Sequence, residues 1–249
     1  MRHWLHTFVN LGLAVPLVAV ALLHACASAL GGTLGWRATL TVAAGTLAVY
    51  AFDRRLDDHV DRPDREDSAR RHQRFLVGLS VAAAAVAVWA GLGLGREPVL
   101  LLGSVVALAL VHAWLRRLPW IKPAYIAVAW VAVVVGLPGL LLEVSAGRLV
   151  AELLPIGLSI VANVIACDAI DREAEAAWLG PRRAWWVARM LAWAGVVTAV
   201  VSTTASALAA VPACLAVALI PYRAEPNYVG MLDAAIGVGA LGSILWMSL

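Results

Sequence analysis

Two short stretches gather carboxylates at spacings that could hold a cation. The first reads Asp53-Arg54-Arg55-Leu56-Asp57-Asp58-His59-Val60-Asp61-Arg62-Pro63-Asp64. In it Asp53, Asp57 and Asp61 stand at i, i+4 and i+8, so on a continuing helix they would form one stripe. The second reads Asp168-Ala169-Ile170-Asp171-Arg172-Glu173-Ala174-Glu175. Here Asp168, Asp171 and Glu175 stand at i, i+3 and i+7 and share a face in the same way. Like charges at that spacing repel, so cations or arginines must compensate them. Mg²⁺ suits such a set, because it takes a few carboxylate oxygens and shares the rest with water or a phosphate. The plainer reading is a membrane helix emerging into water, with acids and arginines forming a solvated, self-neutralising loop.

The elements that carry these patches are apolar. Of 249 residues, 62% are hydrophobic and 14% charged, and the mean hydropathy is +0.85. Soluble chains average roughly 45–50% apolar and about 25% charged. Nine runs of spanning length stand at 8–30, 38–56, 75–95, 98–115, 123–142, 149–167, 184–202, 205–221 and 228–248. A membrane helix needs about 20 such residues. The pattern predicts one all-α domain over 1–249, a polytopic membrane bundle of about nine helices. The split between the seventh and eighth runs rests only on Ser202, Thr203 and Thr204. Pro16, Pro138 and Pro155 fall inside runs, which membrane helices tolerate. Met1–Ala29 resembles a secretory leader, but its apolar run is long and other runs follow, so a retained first helix is expected.

Charge sets the orientation. With the N-terminus cytoplasmic, all of the 19 Lys and Arg except Arg37, Arg96 and Arg148 fall on the cytoplasmic side. That is the positive-inside pattern, and it places both acidic patches at cytoplasmic helix ends. It also explains the net charge of +3 and pI near 9.0 without nucleic acid. Cys26, Cys167 and Cys214 lie in or beside apolar runs with no paired spacing, and read as packing residues. The scarcity of lysine and the wealth of Ala, Arg and Val point to a GC-rich bacterial genome, and so to a bacterial inner membrane.

This arrangement resembles the UbiA superfamily of intramembrane prenyltransferases, in which two Asp-rich motifs follow the second and sixth of about nine spans. Asp168-x-x-Asp171-x-x-x-Glu175 matches the second motif, with Glu in its last place. The first motif, with Arg62-Pro63 after it, fits out of register and looks like a divergent branch, with Arg71-His72-Gln73-Arg74-Phe75 downstream. Leu179-Gly180-Pro181-Arg182-Arg183 replaces the family's Thr-Leu-Pro stretch.

The resemblance implies Mg²⁺-dependent transfer of a polyprenyl group from an isoprenoid diphosphate to a lipophilic acceptor of unknown identity. Asp53, Asp57, Asp168 and Asp171 would lead the metal site, with Asp58, Asp61 and Glu175 behind them. Lys122, the only lysine in the chain, resembles a basic position that family members carry at the start of the fifth span. It would clamp the diphosphate, with Arg54, Arg116 and Arg172 as weaker partners. A membrane anchor is the alternative for Lys122. Asn163 and Trp130 could face the substrate cavity. His24 and His112 read as interhelical hydrogen-bonding groups, His59 and His72 as loop residues. Asp233 could pair with Arg223 or line the site. Three rival functions remain open from sequence. They are a catalytically lapsed relative that binds lipid or a partner, an isoprenoid cyclase on the same scaffold, and a small-molecule transporter.

Overall fold

In the computed structural model the described residues are 14–56, 73–115, 121–171, 179–202, 205–219 and 227–248. They form helices and no strand. In chain order these are α1 (Val15–Ala29), α2 (Trp36–Leu56), α3 (Gln73–Gly91), α4 (Arg96–Leu115), α5 (Lys122–Leu141), α6 (Ala146–Asp171), α7 (Pro181–Ser202), α8 (Ala205–Leu219) and α9 (Asn227–Ser248). A 3₁₀ turn, Leu92–Leu94, prolongs α3. The division at 202–205 falls where Ser202 and its neighbouring threonines suggested it. Among the described residues four helices are long and apolar enough to cross a membrane: Gln73–Leu94, Lys122–Leu141, Ala146–Ile170 and Pro181–Val201.

The outer surface agrees with these four. Leu17, Val81, Leu110, Val150, Val201 and Leu245 are largely exposed. A water-soluble bundle rarely exposes so many large apolar side chains. Inside, small residues let helices approach. Ala162, Ala166 and Ala169 of α6 share a core with Ala184, Ala188 and Ala192 of α7. Between helices in lipid, such close packing replaces the hydrophobic drive available in water. A second core joins five helices through Cys26 of α1, Val134 of α5, Ile156 of α6, Ala213 of α8 and Ala240 of α9.

Tight turns fix the direction of the helices. α1 ends in a Schellman motif. The Gly32 amide donates to the Ala27 carbonyl at 3.0 Å and the Gly31 amide to the Ser28 carbonyl at 2.9 Å. Gly31, with φ +88°, supplies the left-handed residue this requires. Gly95, with φ +99°, turns α3 into α4. Arg148, in the first turn of α6, donates from Nη2 to the Ala29 carbonyl at 2.9 Å. A small cavity lined by Leu34, Arg37, Leu94 and Leu142 gathers the turns after α1, α3 and α5. These turns therefore lie at one end of the bundle. The C-terminus of α2, the N-terminus of α5 and the C-terminus of α6 lie at the other.

The prolines sit where the helices accommodate them. Pro16 lies in the first turn of the described α1, where its missing N–H costs nothing. Pro155 lies inside α6 and Pro212 inside α8. Pro138 follows a π-helical segment, Ala132–Gly136, in α5. Proline removes one helical donor and its ring crowds the preceding turn, and a π-turn relieves both. None of the three cysteines forms a disulfide, and Cys26 and Cys214 are buried. His24 bonds Thr39 across α1 and α2, with 2.9 Å from Nε2 to Oγ1. The side chains of His112 and Asp233, with His59, His72 and Arg223, lie outside the described residues.

Candidate functional site

The site starts from one ion pair. Lys122 is the first residue of α5 and Asp168 lies in the last turn of α6. Lys122 Nζ donates to Asp168 Oδ1 at 3.0 Å. The two side chains are only 15% and 8% exposed. The helices run antiparallel, so each charge meets the opposite end of its neighbour's dipole. Asp168 stands beside the N-terminus of α5, where backbone N–H groups point outward. Lys122 stands beside the C-terminus of α6, where carbonyls do. Both placements are favourable. Pro123 sits in the first turn of α5, where its fixed φ favours the helix start that positions Lys122.

Asp53 lies at the same end of the bundle, in the last turn of α2. Its register ties it to an apolar cavity of about 410 Å³. Val42, Gly45, Thr46, Val49 and Tyr50 of α2 all line that cavity. They follow the spacing of one helical face, and Asp53 is the next position on it. α5 shows the same relation. Ala129 and Trp130 line the cavity, and Lys122 lies seven residues before Ala129, on the same stripe. The stripes on both helices run from the apolar cavity to a charged residue at its end.

The cavity holds about 410 Å³ and is bounded by α1, α2, α3, α4 and α5. Its walls are almost wholly apolar. Thr41, buried at the far end, donates its hydroxyl to the Arg37 carbonyl of its own helix at 2.7 Å. Val88, Leu92 and Val106 line the cavity and are also exposed. The cavity therefore opens sideways between α3 and α4, toward the surface that faces lipid in a membrane.

The other expected site residues divide into three groups. Asp57, Asp58, Asp61, Arg116, Arg172 and Glu175 lie outside the described residues, as do the side chains of Arg54 and Asp171. Asp171 closes α6, one turn beyond Asp168. Asn163 is described and buried, and its Oδ1 accepts a long contact from Cys167 Sγ at 4.0 Å. It is not among the residues on the cavity wall. Five residues, or about 140° of helix, separate it from Asp168, so the two face different ways. Trp130 does line the cavity.

Mg²⁺ requires several oxygen ligands around one point. Among the described residues no group of three or more His, Cys, Asp or Glu side chains is placed to hold a metal ion. Asp168 is instead engaged by Lys122, so the described residues alone do not make a metal site.

Sequence reasoning overlooked two features. Tyr50 stands on the cavity wall one turn before Asp53, and the i, i+3 spacing alone could have found it. Glu152 of α6 is 1% exposed and lies within electrostatic reach of Cys26. A lone acid inside the apolar stretch 149–167 was its signal. Some 24 Å along α6 separates it from Asp168, so it takes no part in that pair. No family model matches the chain, and no curated protein matches its sequence.

Proposed function

We propose that this chain is a multi-span membrane enzyme of the UbiA-like kind, transferring an isoprenoid group from its diphosphate to a lipophilic acceptor. The observation that carries this reading is the Lys122–Asp168 pair, at the same end as Asp53 and above an apolar cavity. A molecule suited to that arrangement has an anionic head and a long apolar tail. An isoprenoid diphosphate has both. Lys122 is a compact point charge of the kind that binds phosphate well. In the free protein Asp168 holds its ammonium in place.

With the donor bound, Lys122 would turn part of its hydrogen-bonding capacity to a diphosphate oxygen. Mg²⁺, if held by Asp53, Asp168 and the remaining acids of the two patches, would neutralise the leaving diphosphate. The C–O bond to the prenyl group breaks and the electron pair leaves with the diphosphate. The allylic cation left behind must be kept from water, and the apolar walls around Trp130 and Val133 would do that. The acceptor supplies the electron pair for the new bond and loses a proton. In this reading all nine helices cross the membrane, with the N-terminus and the acidic patches cytoplasmic.

The test is diphosphate release by the purified protein in nanodiscs, from farnesyl and geranylgeranyl diphosphate. Release should require Mg²⁺ and be lost in Asp168→Ala. If donor binding and release are both indifferent to Mg²⁺ and to Asp168, the enzyme reading fails. A second reading, a lapsed relative that binds an isoprenoid lipid without cleaving it, draws on the out-of-register first motif and on Leu179-Gly180-Pro181-Arg182-Arg183 standing in place of the Thr-Leu-Pro stretch. It predicts donor binding with no release.

A further inference from the structure

The depth from the charged end to the floor of the cavity can be read on two helices, with Asp53 and Lys122 standing beyond the wall residues Tyr50 and Ala129. On α2 its deepest lining residue is Thr41, twelve residues from Asp53, which is about 18 Å. On α5 it is Val133, eleven residues from Lys122, or about 16 Å. Leu92 at the end of α3 and Val99 at the start of α4 lie at the same level, because those helices turn around at Gly95. The floor is therefore a layer contributed by four helices. It is closely built where α2 meets α3. A methyl group added at Gly91 would stand 3.4 Å from Thr41 Cγ2, at the short edge of ordinary van der Waals contact, so little space is left there. Below it lie the turn residues of the opposite end, with Arg37 stacked over the Trp36 ring at 5.4 Å.

Volume gives a second measure. An apolar cavity of roughly 150 Å³ takes one benzene, or about 25 Å³ per carbon. At that packing, the 410 Å³ of this cavity holds about 16 carbons. Three isoprene units have fifteen carbons. We propose that the cavity is a tail site for three isoprene units, a farnesyl chain, with the floor at Thr41 and Gly91 as its length stop. The inference rests on the isoprenoid reading of the site and names the donor's tail. A two-unit chain leaves the floor unfilled. A four-unit chain must bend out through the opening between α3 and α4. In a membrane the tail comes from lipid rather than water, so the selectivity comes from packing contacts and is modest.

Gly103 of α4 provides the means to test this. It lines the cavity, and a methyl group added there meets nothing within 4 Å. Gly103→Leu should therefore fill tail space without disturbing the helix packing, and Gly103→Ala serves as a folding control. The experiment uses the full chain in nanodiscs and measures displacement of radiolabelled farnesol by geraniol, farnesol and geranylgeraniol. These alcohols carry no diphosphate, so the assay is independent of catalysis. Farnesol should compete about fivefold better than geraniol, with geranylgeraniol no better than farnesol. Gly103→Leu should weaken farnesol about fivefold and leave geraniol within about twofold. Gly103→Ala should retain the wild-type order.

Equal competition by all three alcohols, or farnesol binding untouched by Gly103→Leu, overturns the length assignment. If Mg²⁺-dependent diphosphate release occurs alongside that result, the function stands and only the tail site falls. If farnesol is preferred but no diphosphate is ever released, the tail site stands and the transferase reading falls.

Discussion

At the scale of residues, the pair formed by Lys122 and Asp168 dominates. Its partners are 46 positions apart, so nothing local in the sequence could join them. Each was legible alone. Lys122 stands out as the only lysine, and Asp168 opens a spaced set of acids. Their contact depends on α5 and α6 lying side by side, which only the fold provides. Asn163 is the opposite case. Helical arithmetic already turns it about 140° from Asp168, and the structure leaves it away from the cavity wall. A hydrogen bond involving a charged group contributes about 1.5–3 kcal/mol where water is partly excluded. A double-mutant cycle with Lys122→Met and Asp168→Leu, followed by unfolding in mixed micelles, should give a coupling energy of about 1–3 kcal/mol. Additive single effects would show that the two side chains do not hold one another.

At the scale of elements, the apolar runs foretold the helices well and their ends less well. α6 was expected over 149–167 but spans Ala146–Asp171, which brings Asp168 and Asp171 into the helix itself. Hydropathy stops at the first charge, whereas backbone hydrogen bonding continues past it. The π-turn before Pro138 was not legible, since a proline in an apolar run signals a departure but not its form. The closest helix approaches were hidden too, because a glycine does not name its neighbour. A methyl group added at Gly195 of α7 would stand 2.6 Å from Cys214 Sγ of α8. Gly195→Ala should therefore destabilise the bundle by about 1–3 kcal/mol, the usual cost of overpacking. Adding Cys214→Ala should recover part of that loss. Equal stability of wild type and Gly195→Ala in thermal unfolding would contradict this close contact. Arg189 of α7 donates from Nε to the Ala218 carbonyl near the end of α8 at 2.7 Å. Its removal should loosen the same helix pair.

At the scale of the whole molecule, composition foretold an apolar, all-helical fold, and among the described residues four helices are long and apolar enough to cross a membrane. The structure puts the turns containing Leu34 and Leu142 together at one end, with Arg37 and Arg148 beside them. It puts Asp53, Lys122 and Asp168 at the other. The positive-inside count expects the same grouping, with the Asp53, Lys122 and Asp168 end cytoplasmic. The cavity was not legible, because it arises from five helices whose walls read as ordinary apolar sequence. Single cysteines introduced at Gln73 and Gly95, the two ends of α3 and its 3₁₀ extension, test the orientation. A membrane-impermeant maleimide should reach Gln73→Cys from the cytoplasmic face only and Gly95→Cys from the opposite face only. Labelling of both from one side would refute the proposed orientation. The central claim is that a diphosphate head docks at the Lys122–Asp168 end. Its most direct test is binding of a farnesyl diphosphate analogue with sulfur in place of the bridging oxygen, which cannot be cleaved readily and needs no acceptor. Wild-type protein in nanodiscs should bind the analogue in a Mg²⁺-dependent way, and Lys122→Met should weaken it by about tenfold or more, the loss of one charged hydrogen bond. Binding that is the same in wild type and Lys122→Met, with or without Mg²⁺, would contradict the account.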